Sequence, residues 1–413
     1  DAAAGDLLCW VAARGHHADV GGLTPGSMPP DSRTIADEGA LFDNLLVVDG
    51  ATGALQEDDV RAVLAAGAHP ARNPDENLAD LRAQLAACAK GAAALRALYT
   101  AHGRAGVDAY MGHLQHAAEA AVRRRLPELA DGAFRYEMDD GAVIAVALRV
   151  DREAGRLAVD FTGTSPQRPT NFNAPRAITR AAVLYWLRTL VAADVPLNDG
   201  ALRPVELVIP PGCMLDPRPP GAVVAGNVET SQAITDALYG ALLAAGRGVV
   251  AASQGTMNNL TFGDGARQYY ETICGGAGAG PGFAGASAVQ THMTNSRLTD
   301  PEVLETRFPV RVERFAVRRG SGGAGAWRGG DGVERRLVFT APATASILSG
   351  HRRVAPFGGE GGGEGALGDN RLERADGRVE PLAGVDRREL APGDALVILT
   401  PGGGGWGRSE DSG

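Results

Sequence analysis

Apolar residues recur in this chain at two different periods that replace one another irregularly, and that switching restricts the folds open to it. Between Asn73 and Thr100 they return at helical spacing, with Asn73 as the predicted cap and Pro74 in the first turn. A second helix is predicted over Val107–Arg125. From Val143 to Val150 and from Leu157 to Phe161 the period falls to two, and the stretch between them carries Gly155, which predicts a β-hairpin. Helical spacing returns over Ala177–Ala193 and Ser231–Ala245, with strands predicted at Val205–Ile209 and Val223–Ala225. After about residue 320 the pattern becomes short strands between glycine turns, including Arg335–Phe339, Ala345–Leu348 and Ala395–Leu399. Helices and strands mixed without regular alternation predict an α+β class, not a doubly wound sheet. Residues 1–319 read as a large mixed catalytic domain and 320–413 as a β-rich C-terminal subdomain of the same unit. No repeat of fixed period points to a solenoid or propeller.

The apolar run Leu7–Ala13 predicts a buried strand almost at the first residue, which is Asp1 and not Met, so the unit is expected to be truncated at its N-terminus. A formal charge of −9 and a pI near 5.5 argue against nucleic acid, because binding phosphates needs a concentrated basic face. No segment approaches the roughly 20 apolar residues of a membrane span, and a cytoplasmic location is expected. Cys9, Cys88, Cys213 and Cys274 are widely spaced, which disfavours disulfides or a cysteine-rich zinc site.

Several polar clusters can carry chemistry. Gly15-His16-His17-Ala18-Asp19 groups two imidazoles and a carboxylate, which suits a divalent metal if further ligands arrive from elsewhere; the same residues could simply cap a strand-end turn. Asn227, Glu229, Thr230 and Gln232 lie between a predicted strand and helix, where the hydroxyls also suit helix capping. Asn258 and Asn259, with Glu271 close by, precede the loop Gly275–Gly282, and His292 and Asn295 follow it. Glu229 and Glu271 are candidate general bases by chemical type, and His292 is either a proton shuttle or a structural imidazole. Asn227, Thr230, Gln232, Asn258, Asn259 and Asn295 are candidate substrate-binding groups. Cys274 reads as a small packed thiol, since no base accompanies it.

The glycines at 280, 282 and 285 formally spell G-x-G-x-x-G, but Pro281 removes a donor and no strand-then-helix frame surrounds them, so close backbone packing is the better reading. A phosphate loop of the Gly-Lys-Ser/Thr kind is excluded, because the only lysine, Lys90, precedes Gly91.

Taken in order, GHHADVGG, TPGSMPPDS, NLADLRAQ, DFTGTSP, NAPRAIT, GNVETSQ, SQGTMNNLTFG, YYETICGGAGAGPG, THMTNSRLTDPE, RRGSGGAGAWRGGDG and PGGGGWG closely resemble the hydantoinase B/oxoprolinase family nearly from end to end. Within it, Ala109–Gln115 and Glu38–Phe42 look more like the single-chain 5-oxoprolinases than separate hydantoinase B subunits. The resemblance implies opening of 5-oxo-L-proline to L-glutamate, with ATP bound by a hydantoinase A-like partner half that phosphorylates the lactam oxygen. It implies a small-molecule substrate, a homodimer when intact, and a divalent metal (Mn, Zn or Mg). By analogy with related carboxylases, His16 or His17, with Asp19 nearby, would be ligands alongside an upstream His-x-x-Asp element that this chain does not contain. The fragment alone is therefore expected to be inactive. An ATP-dependent hydantoinase, a ketone carboxylase subunit and a non-catalytic assembly half are the alternatives.

Overall fold

The computed structural model describes residues 7–191, 194, 196–264 and 267–409. Its helices are α1 (Ile35–Glu38), α2 (Glu57–Ala65), α3 (Pro74–Arg125), α4 (Arg176–Leu190), α5 (Ser231–Ala244) and α6 (Pro301–Arg307). The first four strands, β1 (Gly132–Glu137), β2 (Val143–Asp151), β3 (Arg156–Asp160) and β4 (Val205–Val208), form one sheet in that order. The expected hairpin is β2–β3, with Val150 opposite Leu157, and β4 joins β3 in parallel.

The remaining strands are β5 (Asn259–Gly263), β6 (Gln268–Thr272), β7 (Val310–Val317), β8 (Val333–Phe339), β9 (Ala343–Leu348), β10 (Asp369–Glu373), β11 (Val379–Leu382), β12 (Val385–Leu390) and β13 (Ala395–Leu399). They build a sheet ordered β11-β10-β13-β8-β7 and another ordered β12-β9-β5-β6. Mixed helices and, among the described residues, three separate sheets make the α+β class plain. The last sheet interleaves residues 259–272 with 343–348 and 385–390, so the C-terminal β-rich part shares a sheet with the larger region.

Helix α3 runs through both helical stretches read from the sequence and breaks between them at Gly103, whose φ of 72° and ψ of 159° lie outside the helical region. Asn73 caps it by accepting from the Glu76 N–H. Helix α5 is buried on all sides from Ser231 to Leu242 and packs on α4, β1 and β2, placing the main core around it. A second core lies between the other sheets and includes Leu260, Phe262, Tyr269, Leu337 and Phe339.

Two expectations fail. Leu7–Ala13 forms no strand: no neighbouring strand among the described residues offers it a ladder, and Trp10 is 86% exposed. Val223–Ala225 is not a strand either. It turns into a π-helical segment, Gly226–Thr230, at the entrance to α5. The last residues expected in the Ala177–Ala193 helix, 192 and 193, lie outside the described residues.

The glycine-rich loops pack backbone on backbone. The Gly276 N–H donates to Pro401 O, Ala279 to Gly404 O, Gly330 to Ala277 O and Gly403 to Gly330 O. A Cβ on Gly276 would sit 2.0 Å from Gly330 O, and one on Gly403 would sit 2.0 Å from Ala277 O, so neither position admits a side chain. In the G-x-G-x-x-G string, Gly280 and Gly285 belong to this close packing, with a Cβ 2.5 Å from Val249 O and 2.1 Å from Ala277 O, whereas Gly282 has open space around it and a φ of 89°.

Candidate active site

A cavity of about 710 Å³ opens between the N-terminal segment, the start of α3, the π-helical segment, β6 and the loop after residue 290. His16, His17, Asn227 and Asn295 line it, and Tyr270 stands in its wall from β6. The elements that shape it are held by buried polar contacts. Asp19 accepts from the backbone N–H groups of Gly21, Gly26 and Arg72 and pairs with the Arg72 guanidinium at 2.8 Å. That carboxylate ties down the histidine loop and is not free to bind a metal, which corrects its expected ligand role.

His17 offers more than exposure to the cavity. Its Nδ1 lies 3.0 Å from Asp80 Oδ2, so in the neutral imidazole the carboxylate favours the proton on Nδ1 and leaves Nε2 as the acceptor. Asp80 was not singled out by the sequence reading, although Asn73, Glu76, Asn77 and Asp80 recur at helical spacing and mark a polar face of α3. A His–carboxylate pair of this kind can act as a general base or orient a metal ligand. The described residues contain no group of three His, Cys, Asp or Glu side chains placed to hold a metal ion, and with Asp19 engaged the two imidazoles do not complete such a site.

On the opposite wall, Asn227 belongs to the π-helical segment. Gly226 allows that segment to press against its neighbour, since a Cβ there would lie 2.3 Å from Asn173 O. Glu38, buried and pushed up by burial, accepts from the N–H groups of Val223 and Val224 and so fixes the chain leading into the segment. This residue, too, was missed as an anchor.

The other expected site residues fall outside the cavity lining. Glu271 is not placed to act as a base. Arg335 donates to both its oxygens at 3.0 and 2.9 Å, Tyr269 donates a third bond, and the pair is sealed in the second core. His292 packs between Tyr185 and Tyr239, bonds the Tyr185 hydroxyl at 2.9 Å, and is pushed down to about 4 by burial, which favours its neutral form. Thr230 donates to Phe172 O, and Asn258 donates to Gln254 Oε1 and Ile273 O. Gln232 braces the loop by holding Thr291 and Thr294. These three support the walls instead of lining them. Cys274 is buried, and its thiol is pushed up to about 11 by burial, as a packed thiol should be.

Glu229 and Asn259 lie one layer behind the cavity. Glu229 Oε1 accepts from the Thr256 hydroxyl at 2.9 Å, the Met257 N–H at 3.0 Å and Asn259 Nδ2 at 2.7 Å. Burial pushes its carboxyl up to about 8. The carboxyl borders a second cavity of about 350 Å³ on the far side, shared with Tyr136, His351 and Arg352. Tyr136 and His351 are 2.6 Å apart there.

A cavity walled by an imidazole paired with a carboxylate is the kind of arrangement that small-molecule enzyme sites use. The chain belongs to the hydantoinase B/oxoprolinase family, whose model matches residues 2–409. It is 45% identical to 5-oxoprolinase 1 of Arabidopsis thaliana over 98% of its own length and 33% of that protein's. It is 40% identical to the 5-oxoprolinase of Saccharomyces cerevisiae, over 98% of this chain and 34% of that one. The chain thus spans about a third of the length of these relatives. Among solved structures it is similar to the ATP-dependent caprolactamase of Pseudomonas jessenii, with a TM-score of 0.82 and 26% identity over 95% of this chain and 71% of the other. An acetone carboxylase matches with the same TM-score at 18% identity, over 96% of this chain and 61% of that one, and shares the fold.

Proposed function

We propose that this chain is the hydrolytic half of an ATP-dependent cyclic-amide hydrolase that opens 5-oxo-L-proline to L-glutamate. The observation that carries the reading is His17, paired with Asp80, in the wall of the cavity, in a chain similar along 98% of its length to proteins named 5-oxoprolinase. A five-membered lactam is a poor electrophile. A hydantoinase A-like partner that binds ATP would phosphorylate its oxygen, and the resulting imidate then needs only water and proton transfers. In this half, water adds to the ring carbon and gives its proton to His17 Nε2. The C–N bond breaks as the nitrogen gains a proton, and a second water displaces phosphate with its bridging oxygen.

The test is the enzyme reconstituted with its hydantoinase A-like half, supplied with ATP and 5-oxo-L-proline and assayed for glutamate, with hydantoins and ketones as comparison substrates. His17→Ala is expected to lower glutamate formation by about 10²–10⁴-fold, the usual contribution of a general base. Full turnover in a variant lacking both His16 and His17 imidazoles would assign this chain an assembly role instead.

A further inference from the structure

Strand β6 puts Tyr270 in the cavity wall, and its hydroxyl lies 2.8 Å from Asn259 Oδ1. The direction of that bond is fixed from behind. Asn259 Nδ2 lies 2.7 Å from Glu229 Oε1 and 2.8 Å from Leu348 O. Leu348 O can only accept. Glu229 Oε1 already receives the Thr256 hydroxyl and the Met257 N–H, so it too acts as an acceptor here. Two acceptors can be met only by the NH₂ end of the amide, so Asn259 presents its oxygen to Tyr270. Tyr270 must therefore donate its proton to Asn259, and burial keeps the phenol protonated by pushing its pKa well up. With its proton committed to Asn259, the phenolic oxygen can only accept a hydrogen bond from a molecule in the cavity that Tyr270 lines.

We propose that the Tyr270 oxygen accepts a hydrogen bond from the ring N–H of the cyclic amide and of the protonated imidate formed from it, with Asn259 and Glu229 as positioning residues that set its polarity. This rests on the activity proposed above. A phenol free to rotate could equally donate to the ring nitrogen; here the amide behind it removes that choice. A protonated imidate nitrogen makes the ring carbon a better target for water, and a fixed acceptor favours that form. Glu229 acts through Asn259 and does not touch the substrate, which explains why a buried carboxyl lies one layer behind the cavity.

The experiment compares 5-oxo-L-proline with N-methyl-5-oxo-L-proline as substrates of the intact two-half enzyme, in the native form and as Tyr270→Phe. The native enzyme is expected to prefer the N–H substrate by about tenfold or more in kcat/KM, and the phenylalanine variant by less than about twofold, as for loss of one hydrogen bond. A merely structural role for Tyr270 would lower both rates together and leave the ratio intact, which overturns the inference. Difluorotyrosine at position 270 keeps the ring and the donated bond while weakening the oxygen as an acceptor. Its preference should fall between the other two, and an undiminished preference there also counts against the inference. If the native enzyme forms no glutamate from 5-oxo-L-proline, the activity reading itself fails. An unchanged ratio in an active enzyme sinks the Tyr270 assignment alone.

Discussion

The two faces of the β12-β9-β5-β6 sheet each bury a carboxyl, and they treat it in opposite ways. On the face turned to the second core, Glu271 meets a guanidinium head-on, and Arg335 is itself fully buried. On the face turned toward the cavity, Glu229 is hydrogen-bonded by neutral donors, a hydroxyl, a backbone N–H and an amide, and Arg352 acts on it only through space. The register explains which residue goes where. Leu260 pairs with Glu271 and Thr261 with Tyr270, so alternate residues of β6 point to opposite faces. A charge partner lets a carboxylate stay ionised inside a protein, whereas neutral donors leave the cost of burial to raise its pKa. One face therefore holds a structural ion pair, and the other a protonatable carboxyl behind the cavity.

The contrast breaks most easily at the ion pair. Glu271→Ala leaves Arg335 buried without its counter-charge, since nearby Phe315 supplies only a ring face at 5.0 Å. Losing one partner of a buried pair costs about 3–5 kcal/mol. Chemical denaturation of the variant should show that loss, and a change under about 1 kcal/mol would mean that the pair is solvated and the two faces are alike.

Glu229 should reveal itself through pH. Its carboxyl holds the proton to about 8 in the folded chain, against 4.5 for the ordinary group. The stabilising contribution is thus complete below pH 4.5, declines as pH rises, and is lost above about 8. Glu229→Gln keeps an acceptor for the three donors and cannot ionise. Relative to the native protein, this variant should gain on the order of 2–4 kcal/mol of stability between pH 5 and pH 9. Parallel stability curves for the two proteins would show that Glu229 is ionised in the fold. Asp236, pushed up to about 7 by burial, adds its own decline with rising pH to both curves and cancels in the comparison.

The sequence carried the fold class, the hairpin, the break near Gly103 and the packing role of the glycine loops, because periodicity and glycine placement are local signals. The difference between Glu229 and Glu271 was not legible. It depends on strand register and on Arg335, 64 residues beyond Glu271 in the chain, and a one-residue slip would exchange the two faces. Asp80 was legible as part of a polar helix face, but its pairing with His17 required the approach of a segment 63 residues away. The run Leu7–Ala13 misled for a related reason: an apolar stretch reports strand propensity, while a ladder needs a neighbour.

Thr256 sharpens the comparison at its smallest scale. Its hydroxyl donates to Glu229 Oε1 and accepts from the N–H groups of Asn258 and Gly350. Thr256→Val keeps the shape and removes all three bonds, for a cost of about 2 kcal/mol. The Thr256 bond is the largest influence favouring the ionised form of Glu229, opposing burial. Without it the carboxyl should hold its proton to still higher pH, so the alkaline loss of stability moves upward in the variant. The same substitution in a Glu229→Gln background should cost stability but shift no pH midpoint. A midpoint that moves even there would place the titrating group elsewhere, and the neutral face would then owe its pH response to a residue other than Glu229.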